Sequence, residues 1–119
     1  MTVRKTAARI AEEIGASVDR LDDQQAGLLV DLIDGAKTVF VSGAGRSRRS
    51  LEAFAIRLMH LGIATEVVGE TTTGAIGVGD LLLVGSGSGS TGSLVTLAGR
   101  AVEAGGRVAL VTIRGGSPI

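Results

Sequence analysis

Cysteine, tryptophan and tyrosine are absent from this 119-residue chain, and it has a single histidine and two phenylalanines. Without cysteine there are no disulfides, no thiol nucleophile and no thiolate metal site, which fits a reducing compartment. One histidine on its own leaves no basis for a histidine-rich metal centre. No metal and no other cofactor is expected. With so few aromatics among 45% hydrophobic residues, the core must be built from Leu, Val, Ile and Ala. An excess of charge is also missing. Twelve basic residues balance twelve acidic ones, which leaves no electrostatic footprint for nucleic acid or an anionic membrane. No apolar run approaches the ~20 residues of a membrane span. Met1-Thr2-Val3-Arg4-Lys5 leads into an amphipathic segment rather than a signal peptide. A soluble cytoplasmic protein of one domain, residues 1–119, is the expectation.

What is present falls into two parts. Val3, Ala7, Ile10, Ala11 and Ile14 recur at helical spacing before Gly15. Gln25, Leu28, Leu29, Leu32 and Ile33 form a second stripe, begun by Asp22 and ended near Gly35. These N-terminal helices fill residues 1–36. From Lys37 the pattern alternates between strand and helix. Strands are predicted at Thr38–Val41, Ala64–Val68, Asp80–Val84 and Arg107–Ile113, each short and almost entirely apolar. Leu51, Phe54, Ala55, Leu58 and Met59 make one intervening helical face, closed by Gly62. Leu94, Leu97, Ala98, Ala101 and Val102 make another, closed by Gly105-Gly106. Such strands belong in a parallel sheet buried on both faces, a three-layer α/β/α sandwich of flavodoxin-like type. Right-handed crossovers then bring every strand-to-helix loop to one edge of the sheet. The last predicted strand reads as an interior one, so the natural domain is expected to continue beyond residue 119, with a last strand and helix to follow.

Two glycine-rich loops fall at that edge. In Leu82-Leu83-Val84-Gly85-Ser86-Gly87-Ser88-Gly89-Ser90-Thr91-Gly92 an apolar run stops at alternating glycines and hydroxyls, and a helical pattern follows at once. Gly87 and Gly89 let backbone N–H groups converge on one point, and the helix N-terminus adds its positive dipole end. Ser86, Ser88, Ser90 and Thr91 add hydroxyl donors, so the loop is suited to an oxyanion such as a sugar phosphate. Apolar segments abut both sides, which disfavours a flexible linker. The other loop, Gly43-Ala44-Gly45-Arg46-Ser47-Arg48, partly matches a dinucleotide fingerprint, with Glu70 where a ribose-binding acid would lie. Arg48 stands at the third glycine position, however, and no Gly-Lys-Ser/Thr phosphate loop occurs. A shift of 43 residues pairs Val41 with Val84, Ser47 with Ser90 and Gly62 with Gly105, making the two loops structural counterparts.

Val41-Ser42-Gly43-Ala44-Gly45-Arg46-Ser47, followed by Phe54-Ala55-Ile56-Arg57-Leu58-Met59-His60-Leu61-Gly62, resembles the sugar isomerase (SIS) superfamily and, within it, the 6-phospho-3-hexuloisomerases. Val67 to Thr73 and the Ser86–Gly89 loop fit the same order and spacing, so the resemblance covers residues 30 to 119. It implies a parallel five-stranded sandwich assembled as a tetramer. It further implies interconversion of 3-hexulose 6-phosphate and fructose 6-phosphate in the ribulose monophosphate route of formaldehyde fixation. By position, Gly45, Arg46, Ser47 and the Ser86–Thr91 loop are implied to bind substrate and its phosphate, with Glu70 and Thr71 as further contacts.

Ketose isomerisation needs a base to carry a proton between neighbouring carbons through an enediol, and a donor for the developing enediolate oxygen. The resemblance implies a glutamate base beyond residue 119. Glu12, Glu13, Glu52 and Glu103 read as solvated charges, and Arg46, Arg48, Arg49 and Arg57 as a positive, mostly solvated cluster. His60 ends its helical stripe, where a histidine serves packing or capping. The resemblance adds a proton shuttle, in this site or a neighbouring subunit's. Three other readings remain open. They are a non-catalytic phosphosugar-binding regulatory domain, a Rossmann-like nucleotide-binding domain with Glu70 on the ribose, and an α/β unit that binds nothing.

Overall fold

The sheet follows directly from the apolar runs. Residues 2–87, 89 and 91–112 are described by a computed structural model, in which the chain divides into two compact units, Met1–Asp31 and Leu32–Ile119. The first contains α1 (Val3–Val18). Thr2 caps α1 by accepting the Lys5 N–H on its hydroxyl at 3.2 Å. The helix runs past Gly15 to Val18 because glycine in a helix interior costs only about 1 kcal/mol and no proline follows. Helix α2 (Asp23–Gly35) starts where Asp22 Oδ1 accepts the N–H groups of Gln24 and Gln25, and the division between units falls within it.

The second unit holds β1 (Val39–Gly43), α3 (Arg46–His60), β2 (Thr65–Val67), β3 (Leu81–Gly85), α4 (Gly92–Glu103) and β4 (Arg107–Val111). All described strands are parallel, in the order β2-β1-β3-β4. Every predicted strand is present with its limits within two residues of those expected, and Ile113 lies outside the described residues. Strands β1 and β3 are central and almost wholly buried.

Alternation along these strands sorts the two helices to opposite faces. Phe40, Leu82 and Val84 pack with Leu94 and Ala101 of α4. The residues between them point the other way, and a side chain on Gly85 would meet Leu51 and Ser47 of α3. The result is the expected three-layer sandwich. The β1–α3–β2 crossover runs one way along the sheet and the β3–α4–β4 crossover runs the other. A crevice opens where they part, outside the carboxyl ends of β1 and β3. Strand β4 is the edge of the described sheet, and its residues are only partly covered.

Candidate functional site

Both glycine-rich loops leave the sheet at that crevice. Gly43 is the last residue of β1, and a Cβ there would lie 2.8 Å from the Arg48 N, 2.9 Å from the Arg48 Cα and 3.0 Å from the Gly85 carbonyl oxygen. The absence of a side chain is what lets the first turn of α3 sit on the strand ends. The close helix–strand approach that a glycine at position 48 would serve in a dinucleotide fold is provided here from the strand side. Gly45 caps α3 with φ 56° and ψ −127°, a conformation open to glycine, and offers no side chain to the helix's first N–H groups. Those donors point out of the sheet edge with the helix dipole behind them. Arg46 is exposed, while Ser47 is half-buried with its Cβ 3.6 Å from the Cβ position of Gly85. Ser47 therefore stands at the root of the second loop.

That loop is held by its own hydroxyls. Ser86 is 3% exposed. Its Oγ accepts the Gly89 N–H at 3.1 Å and lies 3.4 Å from Thr91 Oγ1. Its backbone N–H continues the sheet by donating to the Val111 carbonyl at 3.1 Å. Gly89 takes φ 67°, and Thr112 donates its hydroxyl to the Gly87 carbonyl at 3.1 Å. Thr91 is the N-cap residue of α4 in extended conformation and makes no side-chain capping bond. Two helix N-termini and the Ser47, Ser86 and Thr91 hydroxyls thus gather at one crevice. Ser88 and Ser90 lie outside the described residues.

Arg48 and Glu52 depart from the sequence reading, which left both as solvated charges. Their side chains are only 30% and 24% exposed. Arg48 donates through Nε to Glu52 at 3.0 Å and through Nη2 to the Val68 carbonyl at 2.9 Å, tying α3 to the chain just after β2. Arg49 adds a 3.0 Å bond to Glu52. Hydrogen bonding from Arg49, aided by its charge and by Arg48, holds the Glu52 carboxyl below its ordinary value against the opposing effect of burial. The i,i+4 and i,i+3 spacings of these residues carried the signal.

Glu70 and Thr71 lie in the exposed turn after β2, where the Glu70 N–H donates to the Val67 carbonyl. Thr73 fastens the same turn through its hydroxyl to that carbonyl. Both residues are on the loop edge of the sheet. His60 is not. It closes α3, exposed, about 21 Å along the helix from Arg46 at ~1.5 Å per residue. Within one chain it does not converge with the two loops. Among the described residues no cluster of His, Asp and Glu could hold a metal ion, and no helix is long and apolar enough to cross a membrane.

No family model matches the chain. It is 44% identical over 110 residues to the 3-hexulose-6-phosphate isomerase of Mycobacterium gastri, covering 92% of this chain and 55% of that protein. It is 39% identical over 119 residues to the Bacillus subtilis (strain 168) enzyme of the same name, covering 100% and 64%. Among solved structures it superposes on a Methanococcus jannaschii protein, for which a 3-hexulose-6-phosphate isomerase function was inferred. That match has a TM-score of 0.76 at 38% identity and covers 81% of this chain and 54% of that one. The chain thus spans a little over half to just under two thirds of the length of these relatives.

Proposed function

The chain is a sugar isomerase (SIS) domain, most like 6-phospho-3-hexuloisomerase, and from that premise we propose that its crevice binds the phosphate of a hexulose 6-phosphate. The whole protein then interconverts 3-hexulose 6-phosphate and fructose 6-phosphate. The observation that carries this is the meeting of two glycine-hydroxyl loops at the switch point of the sheet, with Ser47 packed against Gly85. Phosphate accepts N–H bonds from the start of α4 and from the Ser86–Thr91 loop, with Ser88 and Ser90 as further donors. Gly45, Arg46 and Ser47 bind from the α3 side.

A 3-ketose whose six-position oxygen is phosphorylated has no five-membered ring to close through that oxygen, so it presents an open carbonyl. A base takes the proton alpha to that carbonyl and returns it to the adjacent carbon through an enediol, and a hydrogen-bond donor holds the enediolate oxygen. We assign the base to a glutamate outside the two loops. Glu70 and Thr71 reach the sugar from the turn after β2. His60, at the far end of α3, serves a neighbouring subunit's site in a cytoplasmic homo-oligomer, a tetramer by resemblance.

A regulatory phosphosugar-binding domain would use the same crevice. Calorimetric titration with fructose 6-phosphate, using fructose and NAD as controls, tests the binding. Saturable heat with fructose 6-phosphate alone supports the reading, and heat with NAD alone would replace it with the nucleotide-binding one.

A further inference from the structure

The turn after β2 is thinly held. Val68 and Ile76 pack against the core at its two ends, and most residues between them are exposed. Among the described residues, the hydrogen bonds made by residues 69–74 stay within that stretch of chain. The Glu70 N–H and the Thr73 hydroxyl both donate to the Val67 carbonyl, the Thr73 N–H donates to the Glu70 carbonyl, and the Gly74 N–H donates to Glu66 Oε1. Beyond the strand pairing, the tie to another element is Arg48. Its Nη2 donates to the Val68 carbonyl at 2.9 Å. Nη2 and Nη1 also lie 3.7 and 3.9 Å from where a Cβ on Gly69 would stand, so the guanidinium rests against that glycine. The other end of Arg48 is fixed too. Its N and Cα crowd the Cβ position of Gly43 at 2.8 and 2.9 Å, which seats its backbone on the end of β1. Glu52 accepts its Nε at 3.0 Å and aims the fork. A partly exposed ion pair adds little stability by itself, so the reach to Val68 is explained by what it holds in place.

We propose that Arg48 is a positioning residue for the sugar end of the ligand. It joins the loop after β1, on the phosphate side of the crevice, to the turn that carries Glu70 and Thr71, and it fixes the separation between them. This deepens the sugar-phosphate reading above and rests on it. Bare phosphate fills only the two glycine-rich loops and is indifferent to where the turn sits. A hexulose 6-phosphate extends from those loops toward the turn, and its hydroxyls meet Glu70 and Thr71 only where the turn is held. A turn released from Arg48 has to be ordered as the sugar binds, and that ordering weakens the complex. Arg48 therefore sets the preference for a sugar phosphate over phosphate alone, acting through the turn.

Titrations followed by backbone amide resonances, with fructose 6-phosphate and with inorganic phosphate at one ionic strength, test this on the wild type, Arg48→Met and Gly69→Ala. Arg48→Met keeps an unbranched apolar stem and removes both side-chain bonds. Gly69→Ala places a Cβ on a backbone with φ 93° and so displaces the same turn while leaving Arg48 in the sequence. Each variant should bind fructose 6-phosphate about tenfold more weakly and inorganic phosphate within about twofold of the wild type. Backbone order parameters from Gly69 to Thr73 should fall in Arg48→Met while those of Ser47 and Gly89 hold. Thermal melts establish that each variant is folded at the assay temperature. Equal losses for both ligands, undiminished binding of fructose 6-phosphate by Arg48→Met, or unchanged order parameters in the turn would overturn the inference and leave the sugar-phosphate reading standing. A folded wild type that binds neither ligand would overturn both.

Discussion

A methyl group added at Gly43 measures how tightly the first loop is built. Its Cβ would meet three backbone atoms at 2.8–3.0 Å, two from Arg48 and one from Gly85. None can rotate away as a side chain would, so α3 has to lift off the sheet edge by several tenths of an ångström. Overpacking of this sort costs about 1–3 kcal/mol. In a unit of this size each kcal/mol is worth roughly 4–8 °C, so Gly43→Ala should lower the melting midpoint by about 5–20 °C. Two companions bracket it. Gly85→Ala meets the flexible Leu51 side chain at 3.1 Å and should cost less. Gly99→Ala, exposed within α4 with nothing within 4 Å, should gain about 0.5–1 kcal/mol from helix propensity. Thermal melts by circular dichroism read all three. The reasoning is refuted if Gly43→Ala melts with the wild type, or if Gly85→Ala is the more damaging of the two. The lifted helix should also carry Ser47 away from the second loop, so Gly43→Ala should bind fructose 6-phosphate more weakly even where it remains folded.

Further substitutions probe the polar framework. Ser86→Ala leaves the Gly89 N–H without its acceptor, which should cost about 1–3 kcal/mol in melts and weaken fructose 6-phosphate binding, whereas Ser86→Thr retains the oxygen. Arg48→Lys keeps the charge but loses the fork that spans Glu52 and Val68. It should destabilise by about 1 kcal/mol, a modest figure because the pair is partly exposed. A melt as stable as the wild type would show that the fork adds nothing. Glu52 sets an acid limit. Its folded value lies below its ordinary 4.5, so its contribution is complete above that pH and fades as pH falls through the lowered value. Urea melts on either side of pH 4.5 should therefore lose part of their acid-side slope in Glu52→Gln.

Much of this was legible beforehand because parallel strands buried on both faces announce themselves as short apolar runs. Val39-Phe40-Val41 and Leu81-Leu82-Leu83-Val84 are such runs, and right-handed crossovers bring the loops that follow them to one edge of the sheet, whereas the strand order β2-β1-β3-β4 came from the structure. The gathering of the two loops followed from the same rule. Helix ends were less legible. Gly15 looked like a stop for α1, but a single glycine is a weak penalty, and the helix continues to Val18. Arg48 and Glu52 looked like solvated charges because composition reports charge and not what lies across the helix. The Val68 carbonyl that receives Arg48 is distant in sequence and comes near only through the β1–β2 pairing. His60 drew attention as the single histidine beside a resembling motif. Fifteen residues of straight helix carry it away from the loops, a consequence of rise per residue that motif spacing does not express.

The central claim is that the loops after β1 and β3 form one oxyanion site. The most direct test follows backbone amide resonances while fructose 6-phosphate is added to the folded chain. The account predicts that Gly45, Arg46 and Ser47 shift together with Gly87, Gly89 and Thr91, along one saturation curve, and that His60 stays still. Shifts confined to one loop, or two loops that saturate at different concentrations, would contradict it.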